Sequence, residues 1–362
     1  MAESSVSAAA VYSARPTLRV NGAEDDRVKE LLLEMTMHEE EGGLSSLELR
    51  FSDWASIASG GAEYAFGEGG KLKLGAEIGV YSGDETEPRE IFKGVISALE
   101  GRYYTGAAPQ IVVLAEDRLQ RGRLARKSRV HTDRSPADVA RAIASDLGLT
   151  PVIDGLSSPT ATWAQLNESD LSFLRRLVGR FDGDVQVVEA ELHVSGRGDV
   201  RRGSLELELY GQLASARITC DLADQVTKVT AGGWNASDGR AVSGSASSLT
   251  HGGPGAGRTG ASLLKDALAE RSEHIGHLAV GTDDEARAVA EAAFDLRGRR
   301  FVRLEGVAEG NAQLRVGAHC RITGVQKRFE NTYYVTRTCH RFDLAEGYRT
   351  EFGAECAYLG ND

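Results

Sequence analysis

The segment Gly252-Gly253-Pro254-Gly255-Ala256-Gly257-Arg258-Thr259 nearly matches a phosphate-binding loop, with Arg258 where a lysine would reach the β- and γ-phosphates. Gly255, Gly257 and Gly260 also satisfy G-x-G-x-x-G. Both motifs work only where a buried strand feeds the loop, so that amides at a helix N-terminus point at phosphate. The preceding residues, Ser243 to His251, read as no strand, so nucleotide binding is not expected. His274 and His277 form an H-x-x-H pair behind Glu273, whereas metal sites on helices favour an i, i+4 spacing with acidic partners. With no third ligand evident, a solvated pair is expected. His319 and His340 fall in strand patterns, where a packed or surface histidine is the default. No G-x-S-x-G elbow announces a serine nucleophile. Glu39-Glu40-Glu41 and Asp84-Glu85 fall in turn-like segments and read as solvated faces rather than a catalytic carboxylate pair. The sequence therefore assigns no catalytic, cofactor-binding or metal-ligating residue, and no enzyme is expected.

The elements that would have to position any chemistry come from 362 residues, enough for two or three domains with real cores. Lys and Arg total 42 against 53 Asp and Glu, a net charge of -11. That balance argues against nucleic-acid binding through phosphate contacts, which needs a basic face. Glycine, at 42 residues, is the compositional outlier, and with only 7 prolines it points to turns, bulges and one long loop rather than low complexity. The N-terminal MAESSVSAAAVYSARP lacks a basic region, so no secretory leader is expected, and no apolar run reaches the roughly 18 residues of a membrane span. Synthesis in the cytoplasm is expected. Cys220, Cys320, Cys339 and Cys356 contain no C-x-x-C pair and read as reduced, small strand residues.

Residues 1–14 are small and polar and read as disordered. Alternation at Leu18 and Val20, at Leu44, Leu47, Leu49 and Phe51, and at Leu72, Leu74, Ala76, Ile78 and Val80 predicts short antiparallel strands over 15–117. Arg118 to Arg129 holds six basic residues and reads as a solvated connector. Ser135 and Pro136 can start a helix whose face is Val139, Ile143 and Leu147, ended by Gly148. A second helix is expected from about Asn167, burying Leu171, Leu174, Leu177, Val178 and Phe181. Val185 to Val187 and Leu192 to Val194 then read as a hairpin, completing an α+β insert over 118–203. Leu205, Leu207 and Leu209 open a second β-domain, expected over 204–231 and resuming at 300–358. Between lie a Gly/Ser-rich stretch over 232–262, read as a mobile loop, and a helix from Thr282 with Glu285 as its capping partner, together a 232–299 insert. The fold class is mainly β with α+β insertions.

Two segments are more specific than composition. One is Gln165-Leu166-Asn167-Glu168-Ser169-Asp170-Leu171-Ser172-Phe173-Leu174-Arg175-Arg176-Leu177, followed by Asp182-Gly183. The other runs from Leu314-Arg315-Val316-Gly317 through Tyr334-Val335 and His340 to Tyr348-Arg349-Thr350-Glu351-Phe352. With Pro16, Leu18, Val20 and Gly22 they resemble the late-control D family, over about residues 15–358. These are hub proteins of contractile phage tails and the hub half of the valine-glycine repeat spike proteins of type VI secretion. The resemblance implies two similar small antiparallel β-barrels, the second interrupted by insertions, and a homotrimer that presents six barrels between a sixfold inner tube and a threefold spike. It implies as partners the tube or a tube initiator, other baseplate components and, since the sequence ends at Asp362, a separate spike protein. The implied setting is a contractile injection particle or phage-like tail. A carbohydrate- or surface-binding β-module is the alternative, with Trp54, Trp163 and Trp234 and ten tyrosines as possible stacking faces. A delivered hydrolase is disfavoured for want of a nucleophile and base.

Overall fold

The computed structural model describes residues 15–56, 61–67, 70–82, 88–200 and 202–360, so the N-terminal 1–14 and Asp84-Glu85 lie outside the described residues. Alternating apolar side chains build one 13-stranded sheet, and its order is the main architectural fact. One half of it is a row of six strands: Leu32–Glu40, Ser46–Ser52, Gln110–Glu116, Glu90–Arg102, Glu77–Tyr81 and Thr17–Val20, each hydrogen-bonded to the next. The other half is also a row of six: Leu213–Cys220, Val302–Glu309, Gly347–Cys356, Thr332–Asp343, His319–Thr323 and Ser204–Glu208. In both rows the strands follow the same order along the chain, with the sixth neighbour in space coming first in sequence. The rows differ at that last strand, which runs antiparallel in the first and parallel in the second. Ala23–Glu24 adds a short hairpin mate to the first row.

The two rows fuse at a seam. Arg337 to Asp343 pairs antiparallel with Glu40 to Glu34, so Thr338 faces Glu39 and His340 faces Met37. The same edge of the strand Thr332–Asp343 serves His319–Thr323 at its beginning and Leu32–Glu40 at its end. Each row wraps its own apolar core: Leu18 and Val20 from one end of the first row share a cluster with Met35 and Met37 from the other. Leu207, Leu304, Ile322, Tyr333 and Phe352 centre the second.

Of the helices, α1 (Asp26–Leu31) is a single capped turn beside the first row. Helix α2 (Pro136–Leu147) starts at a full capping box between Ser135 and Asp138 and ends at Gly148 in the left-handed conformation. It buries Val139, Ile143 and Leu147, as the spacing predicts. Helix α3 (Asp170–Gly179) is capped by Ser169 and starts three residues later than expected, because Asn167 belongs to the strand Ala161–Ser169. Packing between helices α2 and α3 and the hairpin Gly183–Val188 with Glu191–Gly196 forms a third core. Thr150–Asp154 joins that hairpin as a parallel strand that the sequence pattern did not reveal. The basic stretch is a 3-10 turn, Arg118–Arg123, followed by the exposed strand Arg126–Arg134.

The largest departure lies at 228–275, ahead of the helix expected from Thr282. The stretch read as a mobile loop holds a hairpin, Lys228–Asn235 with Arg240–Ala246, extended by Ser272–Ile275, and helix α4 (Gly260–Ala267). Residues 228–231 therefore pair in this small sheet and not in the second row. Helix α5 (Asp283–Arg299) lies on it and completes a fourth core with Val229, Val242 and Phe294. One of the small residues that mimic a linker, Gly244, lets the helix come close: a Cβ there would meet Arg287 N at 2.1 Å. Among the described residues no helix is long and apolar enough to cross a membrane.

Candidate functional site

The strand Leu32–Glu40 delivers Glu39, Glu40, Glu41, Gly42 and Gly43 to the point where the two strand rows and the α+β insert meet. Reading the three glutamates as a solvated face holds only for the exposed Glu40 side chain. Glu39 is 4% exposed, and Arg315 grips it in fork geometry: Nε donates to Oε2 at 2.9 Å and Nη2 to Oε1 at 2.8 Å. The Val316 amide donates to Oε2 at 3.0 Å. Burial on its own would raise the Glu39 pKa, but the Arg315 charge and these donors outweigh it and hold it at about 2. Glu41 pairs with Arg197, whose guanidinium also lies over the Tyr334 ring at 4.9 Å.

From the insert, a series of polar side chains reaches out to its neighbours. Arg175 on α3 donates to the Gly42 and Gly43 carbonyls. Gln186 donates to the Glu40 carbonyl at 2.9 Å. Asp184 accepts from Gly42 N at 3.0 Å and from Arg202 at 2.7 Å, and Arg202 also donates to the Val316 carbonyl at 3.3 Å. Asp182 makes a two-pronged ion pair with Arg299 at the end of α5, and Arg180 pairs with Glu285 near its start at 2.6 Å. Gly43, at φ +72°, has no room for a side chain, since a Cβ would meet Leu119 at 2.7 Å and Val185 O at 2.9 Å. Asp117, buried and raised to about 6 by burial against its amide donors, ties Ser45 N and Leu119 N at the mouth of the insert.

Alongside this junction runs a cleft of about 810 Å³ lined by Asp154, His193, Ser195, Asp199, Arg202 and Arg315, among others. Its arginines are committed, Arg315 to Glu39 and Arg202 to Asp184, and His193 lies 2.9 Å from Glu191. At the seam, buried His340 places Nδ1 2.9 Å from the Tyr348 hydroxyl, and burial together with the Arg315 charge lowers its pKa to about 3. The arrangement is built to fix position: Glu39, Glu41, Arg175, Arg180, Asp182, Asp184 and Arg202 each meet a partner on another structural unit.

The motif candidates of the sequence fall elsewhere. The glycine loop follows a strand after all, since Ser243 to Ala246 ends Arg240–Ala246, but Ala256 and Arg258 within it are bound to the protein's own C-terminal segment. Ala256 N donates to Asn331 Oδ1 at 3.1 Å, Asn331 Nδ2 donates to Ala256 O at 2.9 Å, and Arg258 pairs with Leu359. The first turn of α4 is capped by Thr259. His274 lies 2.9 Å from the Thr230 hydroxyl, and His319 sits beside the Tyr334 ring. Among the described residues no group of three or more His, Cys, Asp or Glu is placed to hold a metal ion. All four cysteines are free, with Cys220 alone exposed. Trp163 is buried and donates to Arg134 O at 2.7 Å, whereas Trp54, Tyr64 and Tyr103 are exposed and touch edge to face. Arg175, Asp182, Asp184, Arg197, Arg202, Arg299 and Arg315 escaped sequence reasoning because many of their partners lie over a hundred residues away.

Against known proteins, the family model described as the Alg8 N-terminal domain matches residues 17–343. No curated protein matches the chain. Among solved structures, the chain is similar to a 43 kDa prophage tail protein from Shewanella oneidensis, at 11% identity and a TM-score of 0.69, over 95% of this chain and 98% of that one. A tail protein from Neisseria meningitidis matches at 10% identity and a TM-score of 0.60, over 94% and 96%. An E. coli protein described as a component of the type VI secretion system, similar in structure to T4 bacteriophage tail proteins, matches at 13% identity and a TM-score of 0.55, over 95% and 79%. At these identities the likeness is one of fold.

Proposed function

We propose that this chain, which belongs to the Alg8 N-terminal domain family, is the structural hub of a contractile injection baseplate or phage-like tail. It acts as a homotrimer between a sixfold inner tube and a threefold spike carried by a separate protein. The observation that carries this reading is the repeated row of six strands, fused at one seam and locked by the buried charges of the junction. A chain with two equivalent rows gives six of them in a trimer, which faces a sixfold tube while the whole chains keep threefold order toward a spike. The division into a first barrel over 15–117, a second over 204–231 and 300–358, and inserts at 118–203 and 232–299 belongs to the same proposal, with 228–231 moved to the second insert. So does membership of the late-control D group, supported by the tail-protein fold. The work is geometric and non-enzymatic, done in an assembled particle.

Affinity isolation of the tagged chain from its host, with stoichiometry by mass, tests this. A trimer bound to a tube subunit and a β-rich spike is expected. A monomer recovered with glycan on the Trp54, Tyr64 and Tyr103 faces would replace the hub reading with a carbohydrate-binding one.

A further inference from the structure

Over their first five strands the two rows correspond in register, and the correspondence names an edge that one chain leaves open. In the first row, a register shift falls between Leu32 and Glu34 and another between Ile96 and Ala98. In the second, shifts fall between Leu213 and Ser215 and between Val335 and Arg337. Aligned on these shifts, Leu47 matches Leu304 and Ala115 matches Ala354, which pair with each other in each row. The turns agree as well. Gly75 N donates to Ile96 O and Gly317 N to Val335 O, both at 2.9 Å, with φ +83° and +84°. Ala76 N donates to Lys73 O and Ala318 N to Arg315 O, both at 3.0 Å. Lys73-Leu74-Gly75-Ala76 is thus the first-row counterpart of Arg315-Val316-Gly317-Ala318.

The seam inside the chain joins Arg337 to Asp343 of the second row to Leu32–Glu40 of the first. Its counterpart would join Ala98 to Tyr104 of the first row to Leu213–Cys220 of the second, and within one chain these edges do not meet. Leu213–Cys220 ends the sheet, and among the described residues no strand pairs with its outer side. Positions that the seam buries are exposed at their counterparts. Val316 is 0% exposed against 65% for Leu74, Thr338 3% against 37% for Leu99, and Phe342 5% against 66% for Tyr103. These are apolar and aromatic side chains on an unpartnered edge, the chemistry of a contact surface.

We infer that Leu213–Cys220 of one copy pairs antiparallel with Ala98 to Tyr104 of a second copy, in the register of the internal seam. This rests on the hub reading and deepens it by naming the contact between copies. The register sets Leu99 opposite Cys220, Gly101 opposite Ile218 and Tyr103 opposite Ala216, with Leu74 and Lys73 covering the joint as Val316 and Arg315 cover the seam. Arg102 faces Arg217, and Glu100, already paired with Arg102, stands diagonal to it. The contact is head-to-tail, so it forms a ring when the rotation between copies closes.

Cysteine cross-linking of the full chain tests the register. Leu99→Cys should link to the native Cys220 of a second copy under oxidation or with a short bis-maleimide, and Cys220→Ser should abolish the link. Tyr103→Cys with Ala216→Cys, in a Cys220→Ser background, is an independent pair. Glu100→Cys, whose side chain points to the opposite face, should link at under a tenth of the Leu99→Cys yield. Light scattering on the same samples separates the possible failures. An oligomer in which neither pair links overturns the contact and leaves the hub reading standing. A chain that stays monomeric and unlinked overturns both.

Discussion

Glu39→Gln removes the carboxylate at the centre of the junction while keeping its shape. In the folded protein that carboxyl is held at about 2 against an ordinary 4.5. A gap of about 2.5 units corresponds to about 3 kcal/mol favouring the charged, folded form, at roughly 1.36 kcal/mol per unit. Because the folded value is depressed, the contribution is complete above pH 4.5 and is lost as pH falls toward 2. The glutamine also leaves the Arg315 guanidinium without its counter-charge, and breaking a buried pair from one side costs about 3–5 kcal/mol. Amide hydrogen exchange reads this locally at Val316, whose N–H donates to Glu39, so the four separate cores need not unfold together. Near neutral pH, Glu39→Gln should lower Val316 protection by about 10²-fold or more, after correction for the intrinsic rate. The difference from the native chain should shrink steadily between pH 4.5 and pH 2. A loss below tenfold at neutral pH, or a difference that does not change with acid, would refute the claim that this ion pair locks the junction.

Three further outcomes follow from the same geometry. Gly43→Val should lower the melting temperature sharply and loosen the insert, since it puts a β-branched residue at positive φ against Val185 O; a variant as stable as the native chain refutes the tight approach. His340, with its pKa lowered to about 3, should show no imidazole titration by NMR between pH 5 and 8. Its neutral burial contributes stability that is complete above the ordinary value of 6.5 and is lost as pH falls toward 3, with a midpoint near 6 contradicting the buried environment. Leu174→Asp places a carboxylate at a fully buried position of α3 and should abolish protection across helices α2 and α3; intact protection means the register of α3 is wrong.

The local signals in the sequence carried far for single elements. The cap at Ser135, the buried stripes of α2 and α3 and the alternation of Leu47, Leu49 and Phe51 all depend on neighbours a few residues apart. Reading fails where the deciding partner is distant. Glu39 looks solvated beside Glu40 and Glu41, and only Arg315, 276 positions away, makes it a buried ion. The 232–262 stretch looks like a linker because its glycines and serines carry no pattern of their own; Gly244 is bare so that α5 can lie on it, and Gly255 and Gly257 lie close against Cys356 and Leu359. The row correspondence was legible in part, since Lys73-Leu74-Gly75-Ala76 and Arg315-Val316-Gly317-Ala318 share a glycine and an alanine behind a basic and an apolar residue. Without the shared register shifts, four residues do not make a repeat.

Equivalent positions in the two rows carry different chemistry, and the difference follows from when each edge is covered. Glu39 and Thr338 sit in a seam that closes once, within one chain, so a buried ion pair can fix its register at a fixed desolvation cost. Their counterparts Cys220 and Leu99 are exposed in the single chain, and in the contact inferred above only a second copy would cover them. A carboxylate there would have to be stripped of solvent at every association. Small and apolar groups tolerate both states, and the nearby Lys73 and Glu100 keep the open edge soluble. It follows that writing a charge into this edge should separate folding from assembly. Leu99 is 37% exposed within a paired strand, so Leu99→Asp should lower the stability of the single chain by only about 1 kcal/mol and leave its circular dichroism unchanged. In the contact it would bury a carboxylate opposite Cys220, and raise the dissociation constant between copies by at least about 10²-fold. Sedimentation that shows the variant associating as tightly as the native chain would place the contact on another surface, and the apolar character of this edge would then need a different partner.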